Sequence, residues 1–385
     1  MINKDRLSET FKYLVEIDSV SREEEKFAKE IKKILQSMGA KTFVDNAGKK
    51  TGSNTGNLVA KFKGNVPALP LLINAHMDTV EPGRGIKAVL KNDMFTSDGS
   101  TILGADDKSS IAVILESLRV LQENELPYGP IDLVLTICEE IGLLGAKHFD
   151  SSLIEAKFGY ALDATDVNGI IVRAPAANRL EFKIHGKDSH AGAAPEKGIN
   201  AILLASKAIA GLELGRIDRE TTCNIGIIEG GIATNIVPNL VTVKGEVRSH
   251  DEDKLSKVTD NIVSSFKNVV EEFGKVDPND DLPKLEISIE KDFPRTDIPE
   301  DHHIVTLAVQ AGKNLGRKIV CKASGGGADA NIFFKTGIIT GVLGTGMRNM
   351  HSVRENVKLD DMVKATELLL EIIKLHSNSG LEDRK

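Results

Sequence analysis

Residues 71–78 read LLINAHMD. A mostly apolar run ends in His76, and Asp78 follows two positions on. In an extended chain the spacing His-x-Asp turns both side chains to the same side. Acids and histidines recur beside short apolar runs along most of the chain: Asp106 in LGADDK, Glu139 and Glu140 closing DLVLTICEE, Asp163 closing FGYALD, and His351 in NMHS. Apolar strands that end in such side chains fit a metal site at the carboxyl edge of an open sheet. Zinc takes imidazole nitrogen and carboxylate oxygen, and a catalytic site leaves one position open for water. Two metals that share a carboxylate bind one water between them and lower its pKa. That arrangement asks for a histidine and a carboxylate on each metal, a shared acid, and a further acid to move protons. The chain offers all of these, which points to a two-zinc hydrolase.

Taken singly, each signal has a plainer reading. GADDK reads as a helix start, where Asp is favoured. An EE pair reads as a solvated helix face, Asp163 as a strand end, and His351 as an exposed histidine. Cys138 reads as a small packing residue. The ordered set carries the argument. His76 is assigned to one metal, and Asp78 to orienting the imidazole through its other nitrogen. Asp106, at a helix entrance, is the natural bridge. Glu139 and Glu140 are adjacent, so one can bind metal while the other stays free as proton carrier.

Around these motifs, residues 5–38 read as two amphipathic helices broken near 18–21. Ser19 or Ser21 is placed to cap the second helix ahead of Glu24, and Gly39 to stop it. Strands are expected over 57–63, 70–75, 131–138 and 158–162, and helices over 107–123 and 146–155. A loop runs from 82 to about 104. The unbroken apolar run 131–138 is that of a strand covered on both faces. Strands alternating with helices make an α/β sheet with helices on both faces. The character changes near residue 174. Segments 180–185, 222–229, 240–249 and 285–290 alternate apolar and polar residues, while 200–212 and 252–274 read as helices. This is a small α+β domain with one helical face and one open sheet face. Residues 275–283 are polar and turn-rich. From about residue 299 the first character returns, with helices over 302–315 and 359–377 and a buried strand over 338–343. The fold class is therefore α/β. A domain with a mixed sheet flanked by helices, residues 1–176 and 296–385, is interrupted by an inserted domain, residues 177–295. A polar tail spans 377–385.

The bulk numbers agree with this organisation. A chain of 385 residues is long for one core. The 41% hydrophobic and 27% charged composition is that of a globular protein. A formal net charge of −7 without a basic block argues against nucleic acid as a partner. No segment approaches a membrane span, and residues 1–11, MINKDRLSETF, lack an apolar signal core. Cys138, Cys223 and Cys321 show no CxxC spacing and fit a reducing compartment, so a cytoplasmic location is expected. With no Trp and three Tyr there is no aromatic platform for bases or sugars.

The motifs HMDTV, LGADDKSS, CEEIGLLGAKHFD, ALDA, HAGAAPEKGINA, GGIATNIVP, SGGGADAN and NMHS, in that order, resemble peptidase T and its close relatives. These belong to a wider group of two-zinc aminopeptidases, carboxypeptidases, aminoacylases and desuccinylases. The resemblance runs from about residue 57 to His351. It implies a zinc-peptidase-like catalytic domain interrupted by a lid that is also the dimerisation domain. It implies that His76, Asp106 and Asp163 hold one zinc, and Asp106, Glu140 and His351 the other. Cobalt or manganese would suit the same donors. Asp106 aligns with the family's bridging acid, leaving Asp107 as a helix-start acid. Glu139 would be the general base and Asp78 would orient His76. His190 would reach across a homodimer to stabilise the developing oxyanion, while His185 stays structural. Asn235 and Gly326, the latter in the glycine-rich loop 324–327, would reach substrate. That loop lacks the Gly-Lys-Ser/Thr of a phosphate cradle. Arg295 is the candidate for a substrate carboxylate, with Arg248 and Arg348 competing. The implied activity is release of the N-terminal residue from short peptides. The alternative is an amidase or deacylase acting on N-acyl amino acids. Two departures from peptidase T proper are the shorter stretch 79–105 and the HAGAAPEKG context of His190.

Overall fold

The computed structural model describes residues 2–275 and 280–378. The middle of the turn-rich stretch 275–283 and most of the tail 377–385 lie outside the described residues. The chain divides into two compact units. One comprises Met1–Arg173, Thr296–Ser324 and Ala328–Lys385; the other comprises Ala174–Arg295 with Gly325–Gly327.

Four parallel strands form the middle of the first unit's nine-stranded sheet. Their order is Ile131–Thr136, Leu71–His76, Phe158–Ala164 and Ile339–Gly344. Nearly every side chain on them is buried, which is why their sequences run apolar without alternation. Register sets His76 beside Thr136, Ile73 beside Tyr160, and Leu162 beside Leu343. Lys41–Val44 and Leu58–Phe62 extend one side antiparallel. Gly169–Ala174, Thr296–Asp297 and Val320–Ala323 extend the other. From Leu71–His76 the chain crosses to Ile131–Thr136 on one side, then to Phe158–Ala164 on the opposite side. Such a reversal opens a crevice at the carboxyl ends of the strands, and His76 stands at it.

Helix Ala105–Glu123 is buried along most of its length, as an element packed on all sides must be. Helices Lys4–Val15 and Leu359–Asn378 lie against it. Leu7, Phe11 and Leu14 are fully buried there, and each such side chain contributes about 1.5–3 kcal/mol. The Phe11 ring meets Phe95 edge-on at 4.9 Å.

Two expectations change. The helix expected over 146–155 is a short turn, Leu144–Lys147, followed by a 3-10 turn, Ser151–Leu153. Asp150 accepts the Ser152 backbone N–H, a local bond that competes with helix continuation. The loop expected from 82 to 104 contains strands Val89–Lys91 and Met94–Thr96, joined through Asn92 and Asp93 at φ +50° and +65°. That is the backbone of a two-residue hairpin turn. Asn356–Lys358 completes a three-stranded sheet there.

The second unit is built on a five-stranded antiparallel sheet. The order is Gly215–Arg216, Thr221–Gly230, Leu240–Ser249, Ala176–His185, Lys284–Phe293. Helices Ala201–Ala210 and Glu252–Phe273 share a core with it containing Leu180, Phe182, Ile184, Val243, Leu204 and Phe266. The Phe182 and Phe266 rings stack with centroids 4.0 Å apart. Glu181 and Lys183, the alternate residues of the same strand, pair with each other instead, and Glu181 also with Lys244, hence the period of two. Asn200 and Asp251 cap the two helices through the N–H groups of Leu203 and Lys254.

Candidate metal centre

Gly104, at φ +72°, takes the left-handed turn that leads the chain into helix Ala105–Glu123. The first two acids of that helix are not helical: Asp106 has φ −83°, ψ 99° and Asp107 has φ −122°, ψ 25°. The Asp106 carboxylate stands between two histidines. Its Oδ1 is 3.0 Å from His76 Nε2, and its Oδ2 is 3.3 Å from His351 Nε2. His351 Nε2 also lies 2.9 Å from Glu140 Oε2. Ligand-type atoms of His76, Asp106 and Glu140 fall within 4.8 Å of one another, and so do those of Asp106, Asp107 and Asp163. Asp106 belongs to both groups.

Asp78 is fully buried and is a hub. Its Oδ1 accepts the Glu139 N–H at 2.9 Å; its Oδ2 accepts the Glu140 N–H at 3.3 Å and the Ser21 hydroxyl at 2.6 Å. His76 Nδ1 is closer to the backbone oxygen of Asp78, at 3.0 Å, than to its carboxylate, at 3.5 Å. The residue therefore meets the imidazole through its main chain and the Glu139–Glu140 turn through its side chain. Ser19 and Ser21 do not cap the second helix as the sequence suggested. Ser19 donates to the Met77 carbonyl, and the helix Glu25–Ser37 has no side-chain cap. Met77 and Asp78 take those hydroxyls, and the first N–H of the helix, that of Glu25, donates instead to the Asn54 side chain at 2.9 Å.

Cys138 and His351 hold left-handed backbone at φ +53° and +59°, which costs a non-glycine residue on the order of 1–2 kcal/mol. Glu24 holds Cys138 in place, accepting its N–H at 3.0 Å and its thiol at 3.3 Å. Strained residues of this kind concentrate where a site demands a particular direction of the chain.

The electrostatics suit cations. Burial pushes the carboxyls of Asp107, Glu139, Glu140 and Asp163 above their ordinary range, and neighbouring acids push further. Burial opposes charge on His76, yet hydrogen bonds to Asp106 and Asp78 outweigh it and hold its pKa well above the histidine norm. Hydrogen bonds to Asp106 and Glu140 raise His351 to about 10. Glu140 Oε1 is buried without a hydrogen-bond partner among the described residues, a position that a buried acceptor holds only at a cost. Two imidazoles and several crowded carboxylates are the donors that borderline divalent metals accept, so the residues present fit two such ions.

In the second unit, His190 Nδ1 accepts the N–H groups of Gly192 and Ala193, each at 3.1 Å. The neutral ring therefore carries its proton on Nε2, free to donate. His190 forms a bridge with Ile236, and the Ala191 N–H donates to the Asn235 carbonyl at 2.9 Å, so His190 and Asn235 come together. Arg295 donates to the His250 carbonyl at 3.0 Å. Arg248 Nη1 is 3.5 Å from the Gly325 carbonyl, and its guanidinium lies over the Phe293 ring. A side chain on Gly326 would meet that guanidinium at 3.5 Å. His185 lies 3.4 Å from Glu286. In the first unit, Arg348 pairs with Asp361 at 2.8 Å.

Residues 72–375 match peptidase family M20/M25/M40. The chain belongs to that family. The M20 chain is 39% identical over 374 residues to the uncharacterized protein YqjE of Bacillus subtilis, covering 97% of this chain and 99% of that one. The crystal structure of an aminopeptidase PepT from Bacillus cereus matches with a TM-score of 0.87 at 38% identity, covering 98% of this chain and 100% of the other. That of a tripeptidase from Staphylococcus aureus matches at 0.91 and 37%, covering 98% and 99%.

Three residues of this M20 peptidase at the centre carried little signal in the sequence. Asp107 is more than a helix-start acid: its Oδ2 accepts the His76 N–H at 3.1 Å and its Oδ1 meets the Ser110 hydroxyl. Asp329, in SGGGADAN, is buried against the Thr136 hydroxyl at the end of a central strand. Glu355 accepts the backbone N–H groups of Leu103, Gly104 and Asp106. The ADD doublet was a visible cue for the first. The other two depend on contacts between distant parts of the chain. Among the described residues no helix is long and apolar enough to cross a membrane.

Proposed function

We propose that this M20-family chain is a two-metal exopeptidase that releases the N-terminal residue from short peptides, tripeptides foremost. The observation that carries the reading is the position of Asp106, common to both groups of ligand-type side chains. The identity to an aminopeptidase and to a tripeptidase over nearly the whole chain gives it direction. His76, Asp106 and Asp163 would hold one metal, and Asp106, Glu140 and His351 the other, with zinc the first choice and cobalt or manganese compatible. When bound, the metals supply a water of lowered pKa and polarise the scissile carbonyl. Glu139, whose carboxyl is raised by burial, takes the water proton and returns it to the leaving amine. The Asp78 carboxylate keeps the Glu139–Glu140 turn in place. The partner subunit's His190 donates from Nε2 to the developing oxyanion. Asn235 and Gly326 contact substrate, and Arg295 takes its carboxylate. Dimerisation through the second unit and a cytoplasmic location complete the proposal.

The test is hydrolysis of free tripeptides beside matched N-acetylated substrates, before and after chelation and with zinc restored. Metal-dependent release of the first residue from free tripeptides is expected. Cleavage confined to the acylated substrates would move the chain to the deacylases.

A further inference from the structure

Glu355 is 1% exposed. Its Oε2 accepts the N–H groups of Leu103 at 2.8 Å and Gly104 at 2.7 Å, and its Oε1 accepts that of Asp106 at 2.9 Å. Three donors therefore converge on one carboxylate from some 250 residues away in the chain. Asp106 is gripped twice: by Glu355 at its backbone and by His76 and His351 at its side chain.

Glu355 also stands at the base of the loop that carries His351. Arg348 and Asn356 close that loop with a reciprocal pair of backbone hydrogen bonds, 2.8 and 3.0 Å. The Glu355 N–H donates to the Ser352 carbonyl at 3.0 Å, and the Ser352 hydroxyl to the Asn349 carbonyl at 2.7 Å. Beyond the base, strand Asn356–Lys358 is paired with Met94–Thr96. The loop is thus anchored on one side to a sheet and on the other, through Glu355, to the turn before Asp106.

We infer that Glu355 is a positioning residue of the metal centre, whose carboxylate locks the His351 loop to the Asp106 turn and so fixes the distance between a shared ligand and a terminal one. The inference rests on the two-metal reading. Only a carboxylate satisfies all three donors. A glutamine has one oxygen, and its NH2 would face at least one backbone N–H of the turn. Outer partners of this kind commonly set metal affinity, with losses of about 10–100-fold when they are removed.

The experiment compares wild type, Glu355→Gln and Glu355→Asp as full-length chains. Zinc dissociation constants are measured by competition with a chromophoric chelator, visible spectra are recorded after cobalt substitution, and thermal unfolding is followed without metal. E355Q should bind zinc about 10–100-fold more weakly and should show an altered cobalt spectrum. E355D keeps the charge but is one methylene short, and should fall between. It supplies the same readouts if E355Q does not fold. A purely structural residue would lower the unfolding temperature and leave the affinity and cobalt spectrum of the folded protein unchanged; that result overturns the inference. Failure of the wild type to take up metal would instead overturn the two-metal reading itself.

Discussion

Replacing Asp78 by Asn tests whether one buried carboxylate holds the Glu139–Glu140 turn. The charged group accepts the Glu139 N–H at 2.9 Å, the Glu140 N–H at 3.3 Å and the Ser21 hydroxyl at 2.6 Å. An asparagine of the same shape offers one oxygen. With that oxygen toward Glu139, its NH2 meets the Ser21 hydroxyl, which rotates to accept, and the Glu140 N–H, which cannot. A bond to a charged acceptor contributes about 1.5–3 kcal/mol, and a buried N–H left without an acceptor costs about 1–3 kcal/mol. Weakening the first bond and orphaning the second should destabilise the metal-free protein by about 2–4 kcal/mol. Ser21→Ala removes one donor and leaves both N–H bonds, so its effect should lie near the low end for a bond to a carboxylate, about 1.5 kcal/mol. Urea unfolding followed by circular dichroism measures both. Turnover should fall with D78N as well, because a misplacement of about 1 Å at the reacting groups costs on the order of 100-fold. A D78N protein within 0.5 kcal/mol of wild type (roughly the spread of neutral substitutions), with unchanged kcat, would show that Asp78 does not hold the turn.

Glu139→Ala should keep both metals and lose about 10²–10⁴-fold in turnover, checked by metal analysis beside tripeptide kinetics; normal hydrolysis would remove Glu139 as base. His190→Ala should lower kcat by about 10²–10³-fold with metal content intact, and unchanged kinetics would take His190 out of the site. Asp329→Asn probes the buried acid beside Thr136. Burial raises the Asp329 carboxyl from 3.8 to about 6, against the opposing pull of Thr136. Between these values the folded chain keeps a proton that the unfolded chain has lost, so wild-type stability falls as pH rises through that window. Asparagine does not titrate. The stability of D329N relative to wild type should therefore climb by about 1–3 kcal/mol between pH 4 and pH 7, read from metal-free urea unfolding at the two pH values. A flat difference would mean that Asp329 is not held neutral by the fold.

The parallel strands were legible because both their faces are buried: LLINAH, IDLVLT and FGYALD have no polar alternation to mislead. The second unit was legible for the opposite reason. Glu181 and Lys183 alternate with Leu180, Phe182 and Ile184, and that alternation states which face is covered. Most candidate ligands could be listed because they lie at or near the ends of elements, His76 and Asp163 on strands, Asp106 at a helix start and Glu140 just beyond a strand; His351, in the middle of a loop, was legible only through its NMHS motif. What remained hidden was second in line. Ser21, Glu24 and Glu355 act on backbone N–H groups and carboxylates far away in the chain, and no local pattern marks such a contact. The strand Val320–Ala323 was missed because it is short and mostly exposed. The hairpin at Asn92 and Asp93 was missed because three-residue strands are too brief to show a period.

The chain leaves the first sheet and returns to it through neighbouring strands, Gly169–Ala174 and Thr296–Asp297. The inserted unit likewise begins and ends on neighbours, with Ala177 opposite Phe293. Adjacent strands are about 4.8 Å apart, so a long excursion amounts to almost no net displacement. Closure entropy grows only slowly with the length of such an excursion, and the first sheet closes much as it would over a tight turn. The unit is in this sense a cassette. Lengthening or reshaping it should therefore leave unchanged the register of the strands that carry His76 and Asp163. On the proposed assignment of substrate contacts to the inserted unit, substrate preference and hydrolytic chemistry would be free to change on separate schedules.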